Sequence, residues 1–159
     1  MPRVDGRRAV TVVRAERIVQ HPPEQVFDFV ATRHFENHPR WDSELLEMRQ
    51  TSPGPVGPGT TAHVVRRQGR RRVEGTATVT EYEPCRRAAW DVRFGPFALR
   101  QAVDLVPEQD GAATRLRLVI ETRAKGPLKL VLPLLRGRFV RTMTRSLETI
   151  AALLGQTEP

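Results

Sequence analysis

The spacing of apolar side chains separates the chain into a series of strands and one long C-terminal helix. From residue 128 onward, apolar residues recur every three or four positions, which is the spacing of a single stripe along a helix. Pro127 suits the first turn of this helix, whereas Pro133 predicts a kink or a later start. The stripe consists of Leu128, Leu132, Leu135, Phe139, Met143, Leu147, Ile150 and Leu154.

Seven shorter segments carry β-branched or alternating apolar residues, and these patterns predict strands. Short turns, among them Gly69-Arg70 and Gly95-Pro96, separate the later ones and favour an antiparallel meander. The predicted strands are Val10–Val19, Leu45–Thr51, Thr60–Gln68, Arg71–Tyr82, Ala88–Phe94, Phe97–Val106 and Thr114–Arg123.

Two short helices are predicted after the first strand. Pro23 suits a first helical turn, and the apolar residues that follow it predict a helix over Pro23–Ala31. A second helical piece is expected around Arg33 to Asn37, before Pro39.

The long helix must bury its stripe against one face of the sheet, which indicates an α+β fold. We expect a curved antiparallel sheet around the C-terminal helix, with the first strand closing beside the last. Residues 1–159 are expected to form a single domain, with a flexible N-terminal tail over residues 1–9 and a tail over residues 155–159.

The turn at Gly95-Pro96 predicts which side chains share the inner face of the sheet. A two-residue turn pairs Phe94 with Phe97 and alternates apolar with charged residues on both strands. A curved sheet cannot contact a straight helix along its whole width, so a cavity is expected between them. The residues predicted to line it are Trp90, Phe94, Leu99, Gln101, Val103, Leu118 and Ile120 from the strands and Leu135, Phe139, Met143 and Leu147 from the helix.

A few polar residues are candidates for the pocket. Gln101 is the one strongly polar residue on the predicted inner face, so it needs a polar partner, water or a ligand. His63 lies outside if Gly69-Arg70 is a two-residue turn and inside if the strand bulges there. Glu81 shares the parity of the inward Val79, which suggests a place at the pocket rim.

Several landmarks resemble one known family. They are the segments 21–30 (HPPEQVFDFV), 37–42 (NHPRWD), 54–60 (GPVGPGT), 80–84 (TEYEP) and 110–116 (DGAATRL). Together they resemble the START-like (SRPBCC) superfamily, whose bacterial branch is described as polyketide cyclase/dehydrase and lipid transport. The resemblance covers about residues 10–154, although His21 stands where the family usually has a small residue.

The resemblance implies a helix-grip fold, in which seven strands grip the C-terminal helix around a deep pocket. It also implies binding of lipids, polyketides or other apolar molecules, and some members catalyse cyclisation or dehydration. In the segment 37–42, Trp41 is expected to pack where the short helices meet the sheet or the pocket mouth. The landmarks are turns, caps and packing residues, so they predict the fold better than they predict an activity.

The sequence has no recognised catalytic or metal-binding motif, and we predict neither a cofactor nor a metal. His34 and His38 are four residues apart and could share a helix face, as zinc ligands do, but a third ligand is missing. The single cysteine, Cys85, excludes an intrachain disulfide.

Charge and hydropathy change this picture only slightly. The formal net charge is +8, and 24 of the 26 basic residues are arginine. The basic residues are spread along the chain, so nucleic acid is not the expected partner. The longest apolar run, Leu130–Leu135, is far shorter than the roughly 20 residues of a membrane span, and we expect a cytoplasmic protein. The oligomeric state is open, and a homodimer is compatible with the sequence.

Three functions are therefore compatible with the sequence. The first is binding of a hydrophobic small molecule, of lipid, polyketide or aromatic type, in an internal pocket. The second is an enzyme of the polyketide cyclase/dehydratase type. The third is a basic interaction module for anionic surfaces, based on the cationic C-terminal helix and the net charge of +8.

Overall fold

The computed structural model describes residues 9–95, 97–124 and 126–156 of the chain. In this part of the chain seven strands and three α-helices follow the predicted order. The strands are β1 (Ala9–Val19), β2 (Leu45–Gln50), β3 (Thr61–Gln68), β4 (Arg71–Glu83), β5 (Arg87–Phe94), β6 (Phe97–Glu108) and β7 (Ala113–Ala124). The helices are α1 (Pro23–Phe27), α2 (His34–Trp41) and α3 (Leu128–Gly155).

The seven strands form one antiparallel sheet in the order β1-β7-β6-β5-β4-β3-β2. β1 pairs with β7 along its whole length, so the first strand closes beside the last as predicted. Phe94 pairs with Phe97 and Val92 pairs with Leu99, which confirms the predicted register of β5 and β6. The predicted turn residue Pro96 lies outside the described residues. The sheet is curved, and α3 occupies its concave side in a helix-grip arrangement.

The hairpin of β3 and β4 confirms one expectation and corrects another. Gln68 pairs with Arg71 across a two-residue turn, which leaves His63 on the outer face of the sheet. Further along β4 the pairing with β5 shifts between Val79 and Glu81. Because a one-residue shift exchanges the two faces of a strand, Glu81 points outward rather than to the pocket rim.

The same bulge brings Tyr82 to the inner face, where the sequence analysis did not place it. Tyr82 pairs with the fully buried Ala88. Its ring meets Phe27 edge to face at a centroid distance of 5.2 Å, and its hydroxyl hydrogen-bonds the hydroxyl of Thr32 at 2.9 Å. The bulge therefore docks α1 and the turn that follows it onto the sheet.

The short helices differ in extent from the prediction. α1 ends at Phe27, and residues 28–32 form one wide π-helical turn, in which the Arg33 N–H donates to the Asp28 carbonyl at 2.9 Å. α2 runs through Pro39 to Trp41 instead of ending before the proline. A proline removes only one helical hydrogen bond, and the surrounding burial holds the helix together across it.

α3 starts at Leu128, before Pro133, so the expectation of a later start is wrong. Its C-terminal half packs into the core through Met143, Leu147, Ile150 and Leu154, each at most 3% exposed. Ala9 belongs to β1 and Gly155 to α3, so neither residue is part of a tail. The rest of the expected tails, residues 1–8 and 157–159, lies outside the described part.

None of the described helices is long and apolar enough to cross a bilayer.

Gly75 is a position of the sheet where a side chain does not fit. A Cβ atom at Gly75 would lie 2.1 Å from the carbonyl oxygen of Arg93 and 2.6 Å from the ring of Phe94. Gly75→Ala must therefore displace the backbone of β5, and overpacking of this kind lowers the free energy of unfolding by about 1–3 kcal/mol. Urea unfolding measures this loss. Gly57→Ala is the control, because a Cβ there meets nothing within 4 Å. Equal stability of the two variants would contradict the β4–β5 contact described here.

Candidate functional site

A cavity of about 750 Å³ lies between α3 and the concave face of the sheet. A cavity of this size suits a small organic molecule. α3 contributes one side of it through residues spaced by three or four, so that they share one helix face. These residues are Leu135, Arg138, Phe139, Thr142, Met143 and Ser146.

The sheet contributes a mainly apolar wall. On the side of β5, β6 and β7 the lining residues are Val92, Phe94, Phe97, Leu99, Gln101, Leu118 and Ile120. On the side of β2, β3 and β4 the apolar lining residues are Leu45, Met48, Val64 and Val73. Trp41, which is 7% exposed, closes the cavity where α2 ends, in keeping with the burial predicted for it.

Eight of the predicted pocket residues lie in this wall. They are Phe94, Leu99, Gln101, Leu118, Ile120, Leu135, Phe139 and Met143. Trp90, Val103 and Leu147 do not lie in it, although each is at most 2% exposed.

The short helices explain why Trp90 and Val103 are outside the cavity. The His34 side chain of α2 stacks on Trp90 with a centroid distance of 4.0 Å and an angle of 18° between the rings. α1 lies against β6 and β7, and Val103 of β6 is 1% exposed. Helix packing thus fills one half of the concave face and leaves the other half open. Leu147 belongs to the part of α3 that packs into the core.

Of the polar candidates, Gln101 lies in the wall, whereas His63 and Glu81 do not. His63 lies on the outer face, with its Nε2 atom 3.8 Å from the carboxylate of Glu74. Glu81 is held on the outer face by Arg87 and Arg100. The hydrogen bond from Arg87, followed by the charges of both arginines, lowers the pKa of Glu81.

A chain of ion pairs forms the polar side of the cavity, near β2 and β3. Arg66 donates to Asp42 at 2.8 Å and to Glu44 at 3.2 Å, and Arg138 of α3 donates to the other oxygen of Glu44 at 3.1 Å. The Asp42 side chain is 8% exposed, and its second oxygen accepts the backbone N–H of Glu44 at 3.1 Å. The two carboxylates and two guanidinium groups balance, so this side is polar without a net charge.

His38 lies beside these ion pairs in the cavity wall and is uncharged at neutral pH. Burial, followed by the positive charge of Arg66, lowers its pKa to about 3. Its Nε2 atom is 3.7 Å from Asp42, whose nearer oxygen already accepts from Arg66. The cavity therefore offers a neutral imidazole next to an ion pair that is already satisfied.

Behind His38 lies a second buried histidine. Burial, followed by the nearness of His38, holds the pKa of His34 well below its usual range. The His34 Nδ1–H donates to the Val30 carbonyl at 2.9 Å, which leaves its Nε2 as an acceptor. His34 Nε2, His38 Nδ1 and Trp90 Nε1 are buried nitrogens that lack a hydrogen-bond partner in the described part of the chain.

The polar side of the cavity was not predicted from the sequence. One signal was present, because His34, His38 and Asp42 are spaced by four and so share a face of α2 and its end. A second signal was Arg66, which lies two residues after the inward Val64. It should therefore point to the same face of the strand and place a cation among apolar side chains. Among the described residues, no three His, Cys, Asp or Glu side chains are placed to hold a metal ion together.

Comparison with known proteins supports the architecture. Residues 10–155 match the family model described as "Polyketide cyclase / dehydrase and lipid transport". No curated protein matches the sequence.

Solved structures with the same fold share little sequence with this chain. A protein of Thermus thermophilus is 18% identical over 94% of this chain and 100% of its own, with a TM-score of 0.74. The Zhui aromatase/cyclase from a Streptomyces species is 13% identical over 92% and 94%, with a TM-score of 0.73. Norcoclaurine synthase from Thalictrum flavum, in complex with dopamine and hydroxybenzaldehyde, is 14% identical over 96% and 90%, with a TM-score of 0.69. At these identities the likeness concerns the fold.

The buried histidines predict a loss of stability in mild acid. The pKa of His38 is about 3 in the folded chain and near 6.5 when unfolded, so the unfolded chain binds more protons between these values. The contribution of neutral His38 to the free energy of unfolding is thus fully present above pH 6.5, and it falls as the pH is lowered. His38 alone removes roughly 2 kcal/mol by about pH 5, and His34 acts in the same direction.

Urea unfolding at several pH values measures this slope. The His38→Gln variant should lose less stability between pH 7 and 5 than the unmodified protein, whereas Thr142→Val, which changes a residue of the same cavity wall that does not titrate, should keep the original slope. Parallel curves for His38→Gln and the unmodified protein would contradict the burial of a neutral His38.

Proposed function

The chain belongs to the polyketide cyclase/dehydrase and lipid transport family, and we propose that it binds an apolar small molecule in the cavity between α3 and the sheet. The observation that carries this proposal is the cavity of about 750 Å³ with a mainly apolar wall. Protein interiors are otherwise packed to the density of organic crystals, so a space of this size calls for an occupant. A molecule of lipid, polyketide or aromatic type suits the wall.

The two sides of the cavity favour a ligand with one polar end. The side of β5 to β7 presents Phe94, Leu99 and Ile120, against which a ring or an alkyl chain would gain contact. The side near α2 presents His38 and Thr142, which can exchange hydrogen bonds with a hydroxyl or carbonyl group. Because the ion pairs of Asp42 and Arg66 are already satisfied there, a neutral polar end fits better than a charged one.

Catalysis of the cyclase/dehydratase type is the second candidate. The observation in its favour is the pair His38 and Asp42, which both lie in the cavity wall. A general acid or base works best with a pKa near the working pH, and the pKa of His38 is about 3. The pair therefore suits recognition of a ligand better than proton transfer at neutral pH. Recovery of an added polyketide or aromatic ligand in unchanged form after prolonged incubation would favour binding alone.

Filling the cavity tests the proposal. In the double variant Leu99→Trp/Ile120→Trp, two indole rings occupy part of the space between β6, β7 and α3. The loss of about 1–2 kcal/mol of apolar contact should weaken binding of a neutral apolar fluorescent probe, such as N-phenyl-1-naphthylamine, by about tenfold. Fluorescence titration measures the affinity, and circular dichroism on the same sample confirms the fold.

The control places the same side chain on the opposite face of the same strand. Val119 precedes Ile120 in β7, pairs with Ala102 and Arg14, and points away from α3. Val119→Trp should bind the probe as tightly as the unmodified protein does. If the folded double variant and the control bind the probe equally well, the probe occupies another site and the proposal fails.

A further inference from the structure

The first turns of α3 expose apolar side chains to solvent. Leu130 and Leu134 are 79% and 82% exposed, and Val131 between them is 43% exposed. Most apolar side chains of this helix lie in the core or in the cavity wall, but these three in its first turns do not. Exposed leucines at i and i+4 form a continuous patch on a helix surface, and such a patch marks an interaction site.

The surroundings of this patch are cationic and contain no acid in the same stretch of sequence. From Thr122 to Leu147 the chain has no aspartate or glutamate and seven basic residues. These are Arg123, Lys125, Lys129, Arg136, Arg138, Arg141 and Arg145.

The apolar and cationic residues share one face of α3. Leu130, Leu134, Arg141 and Arg145 are spaced by four, seven and four residues, which places them along one outward face of the helix. Arg141 and Arg145 are exposed. Arg138, on the same side, is bound by Glu44 at 3.1 Å. The face thus begins with leucines, continues with arginines and ends at the exposed Glu148, three residues after Arg145.

The same part of α3 borders the cavity. Leu135, which directly follows Leu134, and Phe139, one turn after Leu135, line the cavity from the inner face of the helix. A surface that contacts Leu130 and Leu134 would therefore lie next to the helix turns that enclose the cavity.

We propose that this face, defined by Leu130, Leu134, Arg141 and Arg145, docks the protein onto an anionic lipid surface. Leucines that enter the boundary of the acyl chains, together with arginines that meet the headgroups, are the features of a helix that lies on a membrane. Charge complementarity favours an anionic lipid surface over a second copy of this chain. A second copy of the chain would bring another cationic face against this one, and like charges would oppose the contact. The docking does not depend on whether the cavity holds a ligand.

Vesicle flotation tests the docking. The protein is mixed with vesicles of phosphatidylcholine alone and with vesicles of phosphatidylcholine and phosphatidylglycerol. The unmodified protein should float with the mixed vesicles, remain unbound with phosphatidylcholine alone, and dissociate as salt is added. Leu130→Gln/Leu134→Gln and Arg141→Gln/Arg145→Gln should each weaken the binding by about tenfold or more, since each pair removes one of the two contributions.

Controls on the outer face of the sheet remove the same number of cations or of exposed apolar side chains. Arg14→Gln/Arg93→Gln removes two exposed cations that point away from α3. Ile18→Thr/Val106→Thr removes two exposed apolar residues, which are 43% and 50% exposed. Both controls should bind the mixed vesicles within about twofold of the unmodified protein, a difference of roughly 0.4 kcal/mol.

Three results would overturn the proposal. The first is that the unmodified protein does not bind the mixed vesicles at low salt. The second is equal weakening in the helix variants and the outer-face controls, which would indicate attraction by net charge alone. The third is a dimer in sedimentation that Leu130→Gln/Leu134→Gln dissociates, because the leucines would then be covered by a second copy. Circular dichroism of each variant excludes unfolding as the cause.

Discussion

The packing of the C-terminal half of α3 against the curved sheet fixes the geometry of the rest of the molecule. Leu147, Ile150 and Leu154 are at most 2% exposed, so this half of the helix is anchored in the core. Leu132 near the start of the helix is buried as well, but between it and Met143 the helix and the curved sheet do not stay in contact. The cavity lies farther along the same helix, where Leu135 and Phe139 face the sheet across a gap. One constraint thus produces both the core and the candidate site.

The short helices decide which half of the sheet becomes core and which becomes cavity. His34 of α2 stacks on Trp90, while Tyr82 packs on Phe27 of α1. These contacts seal the concave face near α1 and α2. The helices also bring polar groups to the boundary, because His38 and Asp42 at the end of α2 lie in the cavity wall. A mainly apolar space with one polar side follows from this arrangement, and it is the basis of the proposed ligand class.

The periodicity of apolar residues was sufficient to predict the order of the strands and the register between β5 and β6. Turn residues separate the strands, and a single alternating pattern decides which face of each strand is inward. It was not sufficient for Glu81, because a bulge in β4 reverses the parity of the residues beyond it and nothing in the local composition marks the bulge.

Periodicity also could not separate cavity from core. Trp90 and Val103 have the inward parity of Leu99, and only the positions of α1 and α2 remove them from the wall. The polar residues of the site were missed for a related reason. Helix spacing places His38 and Asp42 on one face of α2, but Pro39 between them suggested that the helix ends earlier. A proline inside a buried helix removes one hydrogen bond and leaves the tertiary contacts in place.

The central claim is that an apolar ligand occupies the space between α3 and the sheet, and methyl-resolved NMR tests it most directly. A neutral apolar ligand such as N-phenyl-1-naphthylamine is titrated into protein labelled at the Leu, Ile and Met methyl groups. The account predicts shifts at Leu118, Ile120 and Met143, which line the cavity, and much smaller shifts at Leu116 and Ile150, which are fully buried in the core. Shifts confined to exposed residues such as Ile18, with the cavity methyl groups unchanged at saturation, would contradict it.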